Sequence, residues 1–314
     1  MKNSHQRIAI GVVKNNTGQY LVAKRNAGVH LENYWEFPGG KVEQYESFKI
    51  ALRRELQEEI GIQPCRMQKF FEFRHKYDDR SLHFQVFKIV TYDLAVRSCD
   101  GQQLKWVEKH QLENINMPLA NRAIVTALKL PKSYMIADYT AIGAKDFISV
   151  IQTKLEAGIK IVQLRAHELC ETEYIELAQK VFALCEQHKA KMICNCELDW
   201  LEQFFTHGVH LTSSRLVEVC KREIRDQYFS ASCHTPAEVE LANQLQVQCI
   251  LVGPVHNTAS HPTAECIEWE GFSRLCNLAN MPVYALGGVP ESETLLAIAH
   301  GAQGIAGISA FVSV

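Results

Sequence analysis

The chain has 314 residues, 47% of them hydrophobic and 22% charged, with a net charge of −2. These are values of an ordinary globular protein, and the length exceeds one typical domain. No apolar run approaches the roughly 20 residues of a membrane span, and no five like charges are consecutive, so neither a bilayer nor a nucleic-acid polymer is an expected partner.

The charge is unevenly shared. Residues 1–130 carry 20 basic and 14 acidic side chains, net +6, whereas residues 131–314 carry 13 and 21, net −8. A positive first half suits a polyphosphate substrate. The 11 cysteines are an odd number, mostly in the second half, without a C-x-x-C pair. They read as free thiols of a reducing compartment rather than a disulfide framework or a zinc site. HQRIAIGVV near the N-terminus reads as a strand rather than a secretory signal, so the expected location is cytoplasmic.

In chain order, residues 7–13 (RIAIGVV) and 19–24 (QYLVAK) flank the turn NNTG and read as a hairpin. NYWEFPGGK then feeds a helix, with Ser47 as its N-cap and Gly61 as the residue that ends it. Phe48, Ala51 and Leu52 begin an apolar stripe that should continue near positions 55 and 59. Those positions are Glu55 and Glu59. With Glu58 they place three acids on or beside one face, where like charges about 5–6 Å apart repel. A hard divalent cation resolves the conflict, because Mg2+ takes carboxylates together with phosphate oxygens.

KFFEFRHKY, LHFQVFKIVTYDL and LKWVEKHQLENI read as further strands, and an alanine-rich helix at 120–130 closes an α+β sandwich. Pro131 stops that helix, which divides the chain into domains 1–130 and 131–314. Beyond it, eight β runs from YMIADY to GIAGISAF alternate with helical runs. That rhythm predicts a compact (β/α)8 TIM-type barrel, with a doubly wound sheet as the alternative. The eighth strand lies so near Val314 that the usual closing helix is expected to be missing or supplied by another element.

The spacing from Gly40 is five residues to Glu46, seven to Arg54-Glu55-Leu56, then Glu58-Glu59-x-Gly61-Ile62. This resembles the Nudix box at every specified position. The likeness extends to the MutT (8-oxo-dGTP diphosphatase) subgroup through YLVAKR, EFPGGK, the DDR turn, Asp100-Gly101-Gln102, Trp106 and MPLAN. It implies an Mg2+ enzyme, with Mn2+ as a substitute, that cleaves a nucleoside triphosphate to monophosphate and pyrophosphate. Gly39 (through its carbonyl), Glu55, Glu58, Glu59 and Asp100 are the implied metal ligands. Glu55 is the implied base, and Arg54 orients the acids. Arg25, His30, Phe37, Arg80 and Asn121 are the implied nucleotide contacts. Asn121 is the most informative of them, since an amide can present donor and acceptor together to a purine edge that changes when C8 is oxidised. Asn121 as a cap of the 121–130 helix, and Asp100 as the turn residue of a hairpin, are the competing readings.

In the second half, QLR, GVHL, GPV, ALGGV and GIAGISAF resemble thiamine phosphate synthase and its TenI-like relatives. The likeness implies a ligand site from Gln163, Arg165, Asn195 and Ser232, with phosphate-binding turns at Gly287, Gly288 and Ser309. The pattern departs where the family has two lysines, here His167 and His261, and where two aspartates bind Mg2+, here Cys196 and Arg215. A degenerate barrel for a small phosphorylated ligand is therefore expected. Other readings are a Nudix hydrolase of a thiamine-pathway pyrophosphate, a bifunctional hydrolase and synthase, and a ligand-sensing scaffold.

Overall fold

A computed structural model of the protein describes residues 4–26, 28, 31–76, 80–219, 228–257 and 265–312, without the side chains of residues 4, 5, 76, 80 and 228. The chain divides into two units, Met1–Lys129 and Leu130–Val314.

The first unit contains β1 (Ser4–Val13), β2 (Tyr20–Lys24), β3 (Trp35–Glu36), β4 (Gly39–Lys41), α1 (Phe48–Ile60), β5 (Gln63–Lys76), β6 (Arg80–Asp93), β7 (Leu104–Val107) and α2 (Leu119–Lys129). One sheet runs β4-β1-β6-β5 and a second runs β3-β2-β7. Alternation along the long hairpin arms sends Phe71, Phe73, Phe84 and Val86 toward α2, and Phe87 and Ile89 toward α1. Gly11 lets α1 come close, because a Cβ there would lie 3.2 Å from the Leu56 side chain.

The expected β1–β2 hairpin does not form. Asn15 and Gln19 close a turn (N–H to O, 3.0 Å), but only a single bridge, Lys14 to Tyr20, follows. Both edges of β1 are taken, by β4 antiparallel and by β6 parallel. Its near-continuous apolar run marks a strand buried inside a sheet rather than the arm of a two-stranded ribbon.

The second unit contains β8 (Ser133–Asp138), α3 (Tyr139–Ile142), α4 (Phe147–Glu156), β9 (Ile161–Arg165), α5 (Glu171–Gln187), β10 (Lys191–Asn195), β11 (Val209–Leu211), α6 (Ser213–Val219), β12 (Tyr228–Cys233), α7 (Pro236–Leu245), β13 (Cys249–Val252), α8 (Glu268–Cys276), β14 (Val283–Leu286), α9 (Thr294–Ala299) and β15 (Gly304–Gly307). The eight strands close into a parallel barrel, with β15 paired to β8. This is the (β/α)8 fold, and the doubly wound alternative is excluded. Closure at that seam requires Gly304, whose Cβ would overlap the Lys132 carbonyl oxygen.

Strand parity sorts the barrel. Tyr134, Ile161, Ile193, Phe229, Leu251 and Tyr284 point inward, while Met135, Val162, Cys194 and Ile250 pack outward against the helices. Six cysteines (Cys185, Cys194, Cys196, Cys233, Cys249 and Cys276) are buried free thiols, whereas Cys65, Cys99 and Cys170 are exposed ones. Burial pushes the Cys185 and Cys233 thiols up to about 12. Among the described residues no helix is long and apolar enough to cross a membrane.

Candidate active site

Helix α1 presents two faces. Ala51, Leu52, Leu56 and Ile60 are buried, and the acids stand one step around the axis. Ser47 caps the start by accepting from the Ile50 N–H at 3.3 Å, and Gly61, at φ 71°, donates its N–H to the Gln57 carbonyl at 3.2 Å. Both termini are thus fixed by the residue types that favour them.

The Gly39-Gly40 strand passes directly over the acids. A Cβ on Gly40 would sit 2.5 Å from the Glu55 carboxylate carbon. The Gly39 N–H donates to Glu59 Oε2 at 3.0 Å. Arg54 gathers three acids: it donates to both Glu46 oxygens at 3.0 Å, to Glu55 Oε1 at 2.9 Å and to Glu58 Oε2 at 3.2 Å. It also donates to the Lys41 carbonyl at 3.1 Å. Charge-assisted bonds of this kind fix a guanidinium and its partners together. They raise the Arg54 pKa, the Glu46 bond most, and lower that of Glu46.

Glu59 is the exception: among the described residues no cation pairs with it. Burial pushes its carboxyl up to about 8, opposed by the Gly39 N–H and reinforced by the charges of Glu55, Glu36 and Asp100. Glu59 therefore feels three other carboxyls across this site. Glu36 is itself raised by burial, which Arg25 at 2.6 Å opposes. Asp100 is exposed and accepts from Gln102 Nε2 at 3.2 Å. Among the described residues no three acidic, histidine or cysteine side chains converge closely enough to hold an ion as they stand. Glu55 and Glu58 are turned onto Arg54 instead. The donor set still suits a hard cation: it is all oxygen, and it holds a buried carboxyl that keeps its proton for want of counter-charge.

The expected nucleotide contacts fall into three groups. Arg25 is paired with Glu36. Phe37 is only 2% exposed, so its ring touches its own core. Its backbone N–H donates to Asn121 Oδ1 at 3.0 Å. Asn121 is the third residue of α2, and its own N–H bonds to the Pro118 carbonyl at 2.9 Å. It therefore does not cap the helix with its side chain but ties α2 to the Glu36–Gly39 segment. His30 and the Arg80 side chain lie outside the described residues.

In the barrel, the lower interior is apolar and the upper interior polar. A cavity of about 2180 Å3 opens at the C-terminal ends of the strands, and Gln163, Arg165, Asn195, Ser232, Gly287, Gly288 and Ser309 all line it. His210 is held between Ser230 Oγ and Ser232 Oγ, both at 2.9 Å, and the Tyr134 hydroxyl lies 3.0 Å from Ser230 Oγ. Burial takes His210 down to about 3, with Arg215, His167 and Arg165 adding to it. That burial favours the neutral imidazole of His210. Gln163 Oε1 and Asn195 Oδ1 are buried with no hydrogen-bond partner among the described residues.

Asp138 pairs with Arg165 and accepts from the Ala141 N–H at 2.9 Å. The Arg215 guanidinium donates to the Cys196 carbonyl and pairs with Glu197. His167 lines the cavity, its pKa lowered by burial and then by Arg165 and Arg215. His261 lies outside the described residues. Sequence reasoning passed over Glu36, Tyr134, Asp138, His210 and Ser230. Parity was the available signal for Tyr134, Asp138 and His210, but not for Ser230, which directly follows the inward Phe229 at the register shift between β11 and β12.

The NUDIX domain family profile matches residues 9–127, and the thiamine monophosphate synthase profile matches residues 133–311. A putative thiamine-phosphate synthase 2 of Aquifex aeolicus is 32% identical over 186 residues, 59% of this chain and 100% of that protein. An 8-oxo-dGTP diphosphatase of Escherichia coli is 31% identical over 123 residues, 39% of this chain and 95% of that protein. A solved MutT structure, from work on Aliivibrio salmonicida and Vibrio cholerae, is 34% identical over 39% of this chain and 94% of its own, with a TM-score of 0.35. The chain therefore joins two families, its first unit a Nudix domain like the MutT diphosphatases and its second a member of the thiamine monophosphate synthase family.

Proposed function

We propose that the first unit is a Mg2+-dependent nucleoside triphosphate pyrophosphohydrolase acting on 8-oxo-dGTP, with Mn2+ as a substitute metal, and that it serves nucleotide-pool sanitation. The buried Glu59 carboxyl, pushed up to about 8 among Glu55, Glu36 and Asp100, carries this reading. Such a concentration of carboxyl groups costs stability unless a cation and a phosphate chain complete it.

Glu55, Glu58 and Glu59, with Asp100 and the Gly39 carbonyl, would hold the metal. When bound, it offsets the phosphate charge and lowers the pKa of water. Arg54 fixes Glu55 through Oε1 at 2.9 Å, which leaves Oε2 to take the proton from a water attacking the β-phosphorus. The products are the nucleoside monophosphate and pyrophosphate. Asn121 reads the base: Oδ1 keeps a second lone pair beyond its bond to Phe37, so it can accept from the N7–H of an oxidised purine while Nδ2 donates to O6. Arg25, His30 and Arg80 are assigned to the remainder of the nucleotide.

Transfer chemistry in the barrel is a second reading, supported by the family match of residues 133–311. Cys196 and Arg215 stand against it.

The deciding experiment is pyrophosphate release from 8-oxo-dGTP, dGTP and thiamine diphosphate by the full chain and by Glu55→Gln. The expected result is preference for the oxidised nucleotide, reduced by roughly 10²–10⁴-fold in the variant. Turnover of thiamine diphosphate with neither nucleotide cleaved would overturn the assignment.

A further inference from the structure

Arg54 organises the acids of α1, but the partner that takes two of its bonds is not on the helix. Glu46 lies in the turn between β4 and α1. That turn closes with the Glu46 N–H on the Glu43 carbonyl at 3.2 Å and the Glu43 N–H on Glu46 Oε2 at 3.0 Å. At its corner Tyr45 sits at φ 72°, in the left-handed region that favours glycine. Tyr45 is 95% exposed, so no core packing holds it there. A bulky residue stays in such a conformation only where its surroundings impose it.

Part of that constraint comes from the sheet. Arg7 on β1 donates through Nη2 to the Glu46 carbonyl at 3.1 Å, and its guanidinium lies 4.7 Å from the centre of the Phe48 ring. The Arg7 carbonyl accepts from the Val42 N–H at 2.9 Å, which ties its backbone to the start of the same turn. Phe48 is the first residue of α1, and it meets the His83 ring edge to face at 5.1 Å.

His83 is the register partner of Arg7 on β6, and its Nε2 lies 2.6 Å from Glu72 Oε1. Glu72 also accepts from Gln85 at 3.2 Å and pairs with Lys69. Burial opposes the Glu72 charge, but His83, Lys69 and Gln85 hold it down to about 2. A polar row anchored on β5 and β6 therefore reaches the first turn of α1 through Phe48, and Arg7 carries it on to Glu46. From Glu46 the chain of bonds continues through Arg54 to Glu55 at 2.9 Å and Glu58 at 3.2 Å.

We propose, resting on the hydrolase reading, that Arg7 is a positioning residue: stacked on Phe48 and bonded to the Glu46 carbonyl, it holds the Glu43–Glu46 turn so that Glu46 fixes Arg54 and Arg54 fixes Glu55. Arg7 acts through other residues and is not catalytic itself. A lysine could supply the donor but not the flat stacked group.

The test is Mg2+-dependent hydrolysis of 8-oxo-dGTP by variants of the full chain, with side-chain 15N NMR of Arg54 beside it. Arg7→Ala is expected to lower kcat roughly ten- to a hundredfold while KM stays within about twofold, because a group needed in the transition state is misplaced and substrate binding is not. Arg7→Lys should recover part of that loss. Tyr45→Gly, which relieves the left-handed corner, should restore kcat to Arg7→Ala, and Arg7→Ala should cost nothing further in a Glu46→Gln background. A general loss of stability would produce neither effect. The Arg54 Nε–H, which donates to Glu46 Oε1 at 3.0 Å, should exchange with solvent faster in Arg7→Ala. Unchanged kcat and exchange would overturn the proposal, as would a loss that adds in full to that of Glu46→Gln. Faster exchange in a chain whose parent leaves the nucleotide intact would remove the hydrolase reading and leave the hold of Arg7 on Arg54 standing.

Discussion

Burial pushes the Glu59 carboxyl from its ordinary 4.5 up to about 8, which favours its protonated form in the native state across the interval between. There the folded state binds more protons than the unfolded state, so stability falls as pH rises, by at most about 1.4 kcal/mol per pH unit for one group. Glu59→Gln removes this dependence. In EDTA its melting temperature is expected to exceed the parent's at pH 8 and to match it near pH 4, and added Mg2+ is expected to raise the parent alone. Equal melting temperatures at both pH values would show that Glu59 is charged and solvated. At this scale the acids and Arg54 were legible from their crowding at helical spacing, but the apolar stripe was misplaced: it runs on through Leu56 and Ile60 rather than 55 and 59, so the acids lie beside it and do not interrupt it. Glu36 was not legible, since its coupling to Glu59 depends on a fold contact, nor was the orientation of Phe37, whose ring and backbone face different surroundings.

Element by element, helix α1 and the barrel strands were readable because caps, glycines and apolar runs leave local marks. Ser47 and Gly61 hold α1 where their types predict. The β1–β2 pairing was misread, since the turn closed by Asn15 and Gln19 marks a chain reversal without saying that β4 and β6 take the two edges of β1. The β8–β15 seam offers a test at this scale. Gly304→Ala places a methyl group against the Lys132 carbonyl, a backbone atom that cannot swing aside. Overpacking of this kind costs roughly 1–3 kcal/mol. The expected outcome is a lower urea midpoint for the barrel, followed by circular dichroism of the full chain, with the rate of nucleotide hydrolysis unchanged at low urea. An unchanged midpoint would mean that the seam opens without loss.

For the molecule as a whole, the division into a basic first part and an acidic second part agrees with two sites of different chemistry, one built around carboxylates and one around fixed guanidinium groups. The placement of Pro131 marked the end of α2, and the alternation beyond it gave the barrel. What the chain order could not give is how inward-facing polar groups from different strands meet, as His210 meets Ser230 and Ser232 across one strand boundary.

The distribution of free thiols supplies a clock for this architecture. Cys65 and Cys99 in the first unit and Cys170 in the second are open to reagent, while six cysteines of the barrel are enclosed. Burial holds thiols such as Cys185 and Cys233 far from ionisation, and the thiolate is the reactive form. An aromatic disulfide reagent should therefore react in two phases, a fast one from the exposed sulfurs and a slow one paced by barrel opening. Ligand held in the barrel would slow the second phase and leave the first untouched, so elapsed time alone would report occupancy without any label being added.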